Sequence, residues 1–212
     1  MSAKPFHRYD GHDLPGVDPA RKMPRATINA STSPRSIGEL VGRLELFTSK
    51  EAEQRQLYPW ASRFVLGYPL PDWQRALVWS GEQKARFITS LWLDIDVGTY
   101  LVNDMADYIE EPGKPLFARK FTDVLLDGQQ RLSALEDYLL NKLAVPDVNG
   151  QPCRWEELGK VERRLFCNKT FGCSFVRSWD EATLRQIYDL RSFGGTPHLE
   201  SERASASPEH EV

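Results

Sequence analysis

The run Val124-Leu-Leu-Asp127-Gly128-Gln129-Gln130-Arg131-Leu132 sets a carboxylate, a glycine, two carboxamides and a guanidinium side by side between apolar stretches. An apolar strand ending at Leu126, a turn through Asp127 and Gly128, and a helix from Gln129 would leave the first helical N–H groups unpaired. The positive end of the helix dipole lies beside them. Gly128 allows close backbone approach, Arg131 offers a forked cation, and Gln129 and Gln130 add neutral donors and acceptors. That combination suits a phosphate group. A plainer reading has Asp127 as a helix cap and Gln-Gln-Arg as solvated surface, because Asp caps are common.

Two further segments carry polar residues near turns. In Pro71-Asp-Trp73-Gln74-Arg75…Trp79 the tryptophans flank Gln74 and Arg75, and tryptophan is more often core than a stacking platform. In Tyr188…Arg191-Ser-Phe-Gly194-Gly195-Thr-Pro-His198 the glycine pair allows a tight bend between Arg191 and His198. A helix C-cap followed by an exit loop explains this equally well.

These residues need elements to position them. Ser36 and Glu39 have capping-box spacing before Ile37, Leu40, Val41, Leu44 and Phe47, which share one helical face. Residues 64–79 hold Gly67, Pro69 and Pro71 and read as strand or extended chain. A helix is expected from Gly81 to Leu93, a strand at 97–102, mostly loop from Asn103 to Lys120, and a strand at 121–126. The next helix is expected from Gln129 to Leu143, with Leu132, Leu135, Leu139 and Leu143 on one stripe. Asn149-Gly150 marks a small hairpin, 155–166 a weaker helix, and 170–177 a strand; Ser178 and Glu181 would cap a last helix carrying Leu184, Ile187 and Tyr188. This order gives an α/β (α+β) domain with few strands.

Charge divides the chain. Residues 1–34 carry five basic and three acidic side chains and five of the 14 prolines, which predicts an extended or disordered arm. Residues 200–212 carry four acidic and one basic residue and read as a disordered acidic tail, leaving 35–199 as one near-neutral domain. The net charge of −3 excludes a chain that coats DNA or an anionic membrane by bulk charge. There is no 18-residue apolar run and no apolar leader, so a cytoplasmic protein without a membrane span is expected. Cys153, Cys167 and Cys173 fit neither a disulfide framework nor a zinc site. Of the four histidines, His7 and His12 lie in the arm and His210 in the tail, so the body lacks a histidine-rich nuclease constellation.

The motifs Gln74-Arg75…Val78-Trp79, Phe87-Ile88…Ser90-Leu91, Asp127-Gly-Gln-Gln-Arg131-Leu and Phe193-Gly-Gly-Thr-Pro197 occur in one order over roughly 60–200. In this order they resemble the N-terminal domain family of GmrSD-type, modification-dependent restriction enzymes. Asp-Gly-Gln-Gln-Arg is the most specific element. The resemblance implies a ParB/sulfiredoxin-like fold with a small mixed sheet and several surrounding helices. It also implies nucleoside triphosphate binding and hydrolysis at Asp127, Gly128, Gln129, Gln130 and Arg131. Gln74 and Arg75 would be a second phosphate or scaffold contact. Asp127, Gln130 and Arg131 would be catalytic, with Asp127 holding Mg²⁺ or orienting water, and Arg191, Gly194, Gly195 and His198 are secondary candidates. Where the family has Arg-x-Asn before its glycine pair, this chain has Arg191-Ser192-Phe193.

The leading expectation is a Mg²⁺-dependent nucleoside triphosphatase linked to DNA processing or to conflict between phage and host. If phage-encoded, it would act in the bacterial host cytoplasm. Two alternatives stand beside it. One is a non-catalytic sensor of nucleotide or modified DNA that acts through a nuclease partner. The other is a DNA nuclease or nickase with a basic groove from Arg63, Arg75, Lys84, Arg86, Arg119, Lys120 and Arg131.

Overall fold

The computed structural model describes Ala26, Ile28 and residues 30–192. In chain order the elements are β1 (Ser31–Ser33), α1 (Ile37–Ser49), α2 (Glu51–Leu57), β2 (Arg63–Val65), β3 (Tyr68–Leu70) and α3 (Gly81–Trp92). They continue with β4 (Thr99–Asn103), β5 (Tyr108–Ile109), β6 (Phe117–Ala118), β7 (Leu125–Asp127), α4 (Gln129–Leu139) and β8 (Val145–Pro146). Last come β9 (Pro152–Cys153), α5 (Lys160–Cys167), β10 (Gly172–Val176) and α6 (Glu181–Ser192).

The main sheet has the order β1-β10-β4-β7. β10 and β4 run parallel, while β1 and β7 pair antiparallel on the outside. The two-residue period of the strands divides the core between two faces. On β4, Tyr100 and Val102 join the larger cluster with α1, α3 and α4, and Leu101 turns to the smaller one. On β7, Leu125 faces the first cluster, and Leu126 faces the second, with Val176 and Leu184 of α6. The mixed sheet with helices on it is the α+β class expected.

Local chemistry explains where helices start. Ser36 Oγ accepts from Glu39 N at 3.2 Å, and Glu39 returns a bond from Ser36 N, the reciprocal box read from spacing. Ser80 and Gln83 repeat the device at α3. At α6 the cap is Asp180, whose Oδ2 accepts from Thr183 N at 3.0 Å, rather than Ser178. Ser178 Oγ instead accepts from Asp180 N.

Several boundaries differ from expectation. Ser31–Ser33, assigned to the arm, form the edge strand against Cys173–Phe175. The strand expected at 121–126 begins only at Leu125, because Phe121 and Asp123 have φ of 73° and 52° and make a turn. α4 ends at Leu139, four residues early, where Asn141 takes φ 60°. The hairpin at Asn149-Gly150 is present as β8–β9. The 64–79 stretch holds the β2–β3 hairpin and then runs extended without strand pairing. Its Leu66-Gly67 turn has φ of 52° and 74°, as a two-residue hairpin connection requires.

Candidate functional site

The strand-to-helix junction forms as read. β7 delivers Asp127, Gly128 turns the chain, and α4 begins at Gln129. Gly128 has φ 97°, and a Cβ there would lie 2.6 Å from the Cβ of Tyr100. Both the torsion and the contact exclude a side chain, so this glycine lets β7 turn tightly against β4. The first helical hydrogen bond joins Leu132 N to Gly128 O, so the earlier N–H groups have no intrahelical acceptor.

Two guanidiniums converge on one carboxylate oxygen. Arg131 Nη2 lies 3.0 Å and Arg191 Nε 2.7 Å from Asp127 Oδ2. Arg131 also donates to the Val97 carbonyl at 3.1 Å. Arg191, from the end of α6, donates to the Thr99 carbonyl and, at 2.6 Å, to Thr99 Oγ1. Thr99 Oγ1 lies 2.8 Å from Ser174 Oγ, which lies 3.1 Å from Thr32 Oγ1, so a row of hydroxyls crosses three strands behind Arg191. Burial pulls the Arg131 guanidinium below its ordinary value; Asp127 opposes this and Arg191 adds to it. Arg75 lines the same cavity, and among the described residues it has no ion-pair partner. Three guanidiniums against one carboxylate give a local charge of +2 inside an acidic chain, which favours an anion.

The three glutamines do a different job. Gln74 Nε2 donates to the Leu125 and Leu126 carbonyls at 2.6 and 2.9 Å, closing the open edge of β7. Gln129 Nε2 reaches the Arg75 carbonyl at 2.9 Å. Gln130 Nε2 reaches the Ala76 carbonyl at 3.0 Å, and its Oε1 accepts from Val78 N and Trp79 N. All three are buried. They fasten the extended 74–79 segment across the start of α4. Arg63 adds bonds to the Gln74 and Arg75 carbonyls.

Between this segment, the junction and the end of α6 lies a cavity of about 140 Å³, lined by Arg75, Trp79, Asp127, Gly128–Arg131, Tyr188 and Ser192. It is smaller than the ~300 Å³ at which small-molecule pockets usually begin. A volume of this size would admit a phosphoryl group but not a nucleoside. A larger groove of about 910 Å³ lies where α3 leads into β4 and α5 into β10. Lys169, the one cation among its described lining residues, is paired with Asp94 at 2.7 Å, so this groove lacks the excess positive charge of the smaller cavity.

Of the predicted site residues, Gln74, Arg75, Asp127, Gly128, Gln129, Gln130, Arg131 and Arg191 come together here. Gly194, Gly195 and His198 lie outside the described residues. Thr99 and Val97 were not anticipated, and a threonine opening an apolar strand has no signal that marks it. The basic-groove candidates do not share one surface charge: Lys84 pairs with Asp137, Arg119 with Asp107 and Lys120 with Glu181. For a divalent cation the described lining residues offer one carboxylate, whose Oδ2 is shared by two arginines. Among the described residues no group of three or more His, Cys, Asp or Glu is placed to hold a metal. This donor set does not fit a cation held by the protein alone. Cys173 is buried, and burial pushes its thiol up to about 11, so it is not a reactive thiolate.

The fold and site thus define an α+β domain with a cationic cavity at a strand–glycine–helix junction. The family model described as "GmrSD restriction endonuclease, N-terminal domain" matches residues 54–203, and the chain belongs to that family. The match begins in α2 and takes in every residue of the cavity. No curated protein and no solved structure matches the chain. Among the described residues no helix is long and apolar enough to cross a membrane.

Proposed function

We propose that the chain binds the phosphates of a nucleoside triphosphate at the junction and hydrolyses the terminal phosphoryl bond, in the service of restriction-related DNA processing. One observation carries this reading: Arg75 and Arg131 line, with the unpaired N–H groups of α4, a cavity of phosphate size whose one lining carboxylate among the described residues, Asp127, is held by Arg191. The α4 amides and Arg131 take the phosphoryl oxygens, Arg75 stabilises charge that builds on them as the bond breaks, and Arg191 positions Asp127. Any magnesium arrives on the nucleotide. The nucleoside stays outside the cavity, with the exposed Leu77 and Val78, which lie in the chain between the lining residues Arg75 and Trp79, as its apolar contact. Family membership supports the link to restriction.

The test is phosphate release from ATP, GTP, CTP and UTP, with magnesium or EDTA and with or without DNA, beside calorimetric binding. Arg131→Ala is expected to weaken nucleotide binding by about 10²-fold, the value of one hydrogen bond to a charged group. Unchanged affinity in that variant would move the site elsewhere. The sensor reading has its own support, because Asp127 is held by two guanidiniums. Tight binding without turnover selects it.

A further inference from the structure

Gln129 and Gln130 are adjacent and chemically identical, yet their hydrogen bonding differs. Gln130 is engaged at both ends of its amide. Gln129, 4% exposed, has only its Nε2 engaged, on the Arg75 carbonyl, and its Oε1 is buried without a partner. The assignment of the two ends is fixed, since an oxygen facing the Arg75 carbonyl would set acceptor against acceptor. Gln74 Oε1 is also buried without a partner, but Gln129 and not Gln74 lines the cavity, so the unsatisfied acceptor that belongs to the cavity wall is that of Gln129.

The other polar groups there are mainly donors: the guanidiniums of Arg75 and Arg131 and the first amides of α4. The one carboxylate already accepts from two arginines. A phosphate chain without a proton only accepts, so it satisfies the donors and leaves Gln129 Oε1 unpaired. What can donate to that oxygen while facing phosphorus is water. We infer that Gln129 orients the hydrolytic water, an inference that rests on the hydrolysis reading above. The amide carbonyl holds one water hydrogen and turns a lone pair towards the terminal phosphorus. The new P–O bond forms as the bridging P–O bond breaks, and its electron pair leaves on the nucleoside diphosphate. The water proton passes to a phosphoryl oxygen, because a neutral amide does not take it. Products are nucleoside diphosphate and inorganic phosphate.

The experiment uses the full chain and the nucleotide that the wild type hydrolyses best. Turnover is measured for Gln129→Met, which removes the acceptor, and for Gln129→Glu, which keeps an acceptor oxygen but loses the donor to Arg75. Binding is measured with a non-hydrolysable analogue and with a 2′,3′-dideoxy nucleotide. Gln129→Met should lower kcat by about 10²-fold, as loss of one oriented hydrogen-bonding group does. Affinity should stay within about threefold, and Gln129→Glu should recover at least about a tenth of wild-type turnover. Should Gln129→Met fail to fold, Gln129→Asn, which withdraws the oxygen, replaces it with the same expectation.

Equal losses in the Met and Glu variants would overturn the inference and leave Gln129 as an anchor for Arg75. A loss confined to affinity, and matched by removing the ribose hydroxyls, would overturn it in favour of a sugar contact. Both results leave the hydrolysis reading standing. A wild type that binds nucleotide and releases no phosphate from any of the four removes both.

Discussion

Gly128 is where the site depends most on one residue. Its φ of 97° and the 2.6 Å that would separate any Cβ there from Tyr100 act together. Gly128→Ala is therefore expected to cost about 2–4 kcal/mol in urea unfolding, adding overpacking to backbone strain. A loss below about 1 kcal/mol would mean that the turn relaxes without harm. Glycine at this point was legible in the sequence, because a strand must turn there to start a helix. The roles of the neighbouring glutamines were not, since a side chain's partner lies some 50 residues away and no local pattern encodes it. Gln130 read as a catalytic group and Gln74 as a phosphate contact, and in the fold their hydrogen bonds also fasten the 74–79 segment. Arg131 and Arg191 read as cations near a turn; that they meet on one oxygen of Asp127 depends on where α6 lies.

At the level of elements, α4 does more than start the site. From its middle, Glu136 accepts from Leu66 N in the β2–β3 turn. Burial raises its carboxyl above the usual range, with the Leu66 bond opposing. A carboxyl raised in the fold favours the protonated state, so its contribution is fully present below the unfolded value near 4.5 and is lost as pH rises through the folded value. A glutamine in its place keeps an acceptor and removes the charge. The Glu136→Gln variant should unfold at a higher urea concentration than wild type at pH 7, with the gap closing by about pH 4. A constant gap across that range would remove the ionisation from the account. The Ser36–Glu39 cap and the β8–β9 hairpin followed from spacing, because caps and Asn-Gly turns are local, whereas Ser178 was displaced as a cap by Asp180. Positive φ at Phe121 and Asp123 did not, because neither residue type announces it. The short strand β1 was hidden because Ser31–Ser33 has no apolar pattern and exists through its pairing with β10.

At the scale of the molecule, charge decides what the surface can do alone. The chain is −3 overall, and Lys84, Arg119, Lys120 and Arg131 each face a carboxylate. A duplex binder neutralises several phosphates with unpaired cations. Unmodified duplex DNA is therefore expected to bind no tighter than about 10 µM at roughly 150 mM salt, within the nonspecific range, in a fluorescence anisotropy titration. Nanomolar binding with a steep salt slope would revive the nuclease reading and its basic groove. Local positive charge at the junction and weak net acidity elsewhere are compatible, because one is a matter of three side chains and the other of the whole surface.

The reach of Arg191 has a consequence for how the protein is made. Its partners Asp127 and Thr99 lie 64 and 92 residues earlier in the chain. During synthesis the strand, the turn and α4 leave the ribosome long before the end of α6. A nascent chain can therefore pair β4 with β7 and start α4 before β10 joins the sheet and before α6 brings Tyr188 and Ser192 to the cavity wall and Arg191 to Asp127. The site is completed only after residue 191 emerges, so the local arrangement at the junction waits on the last helix of the domain.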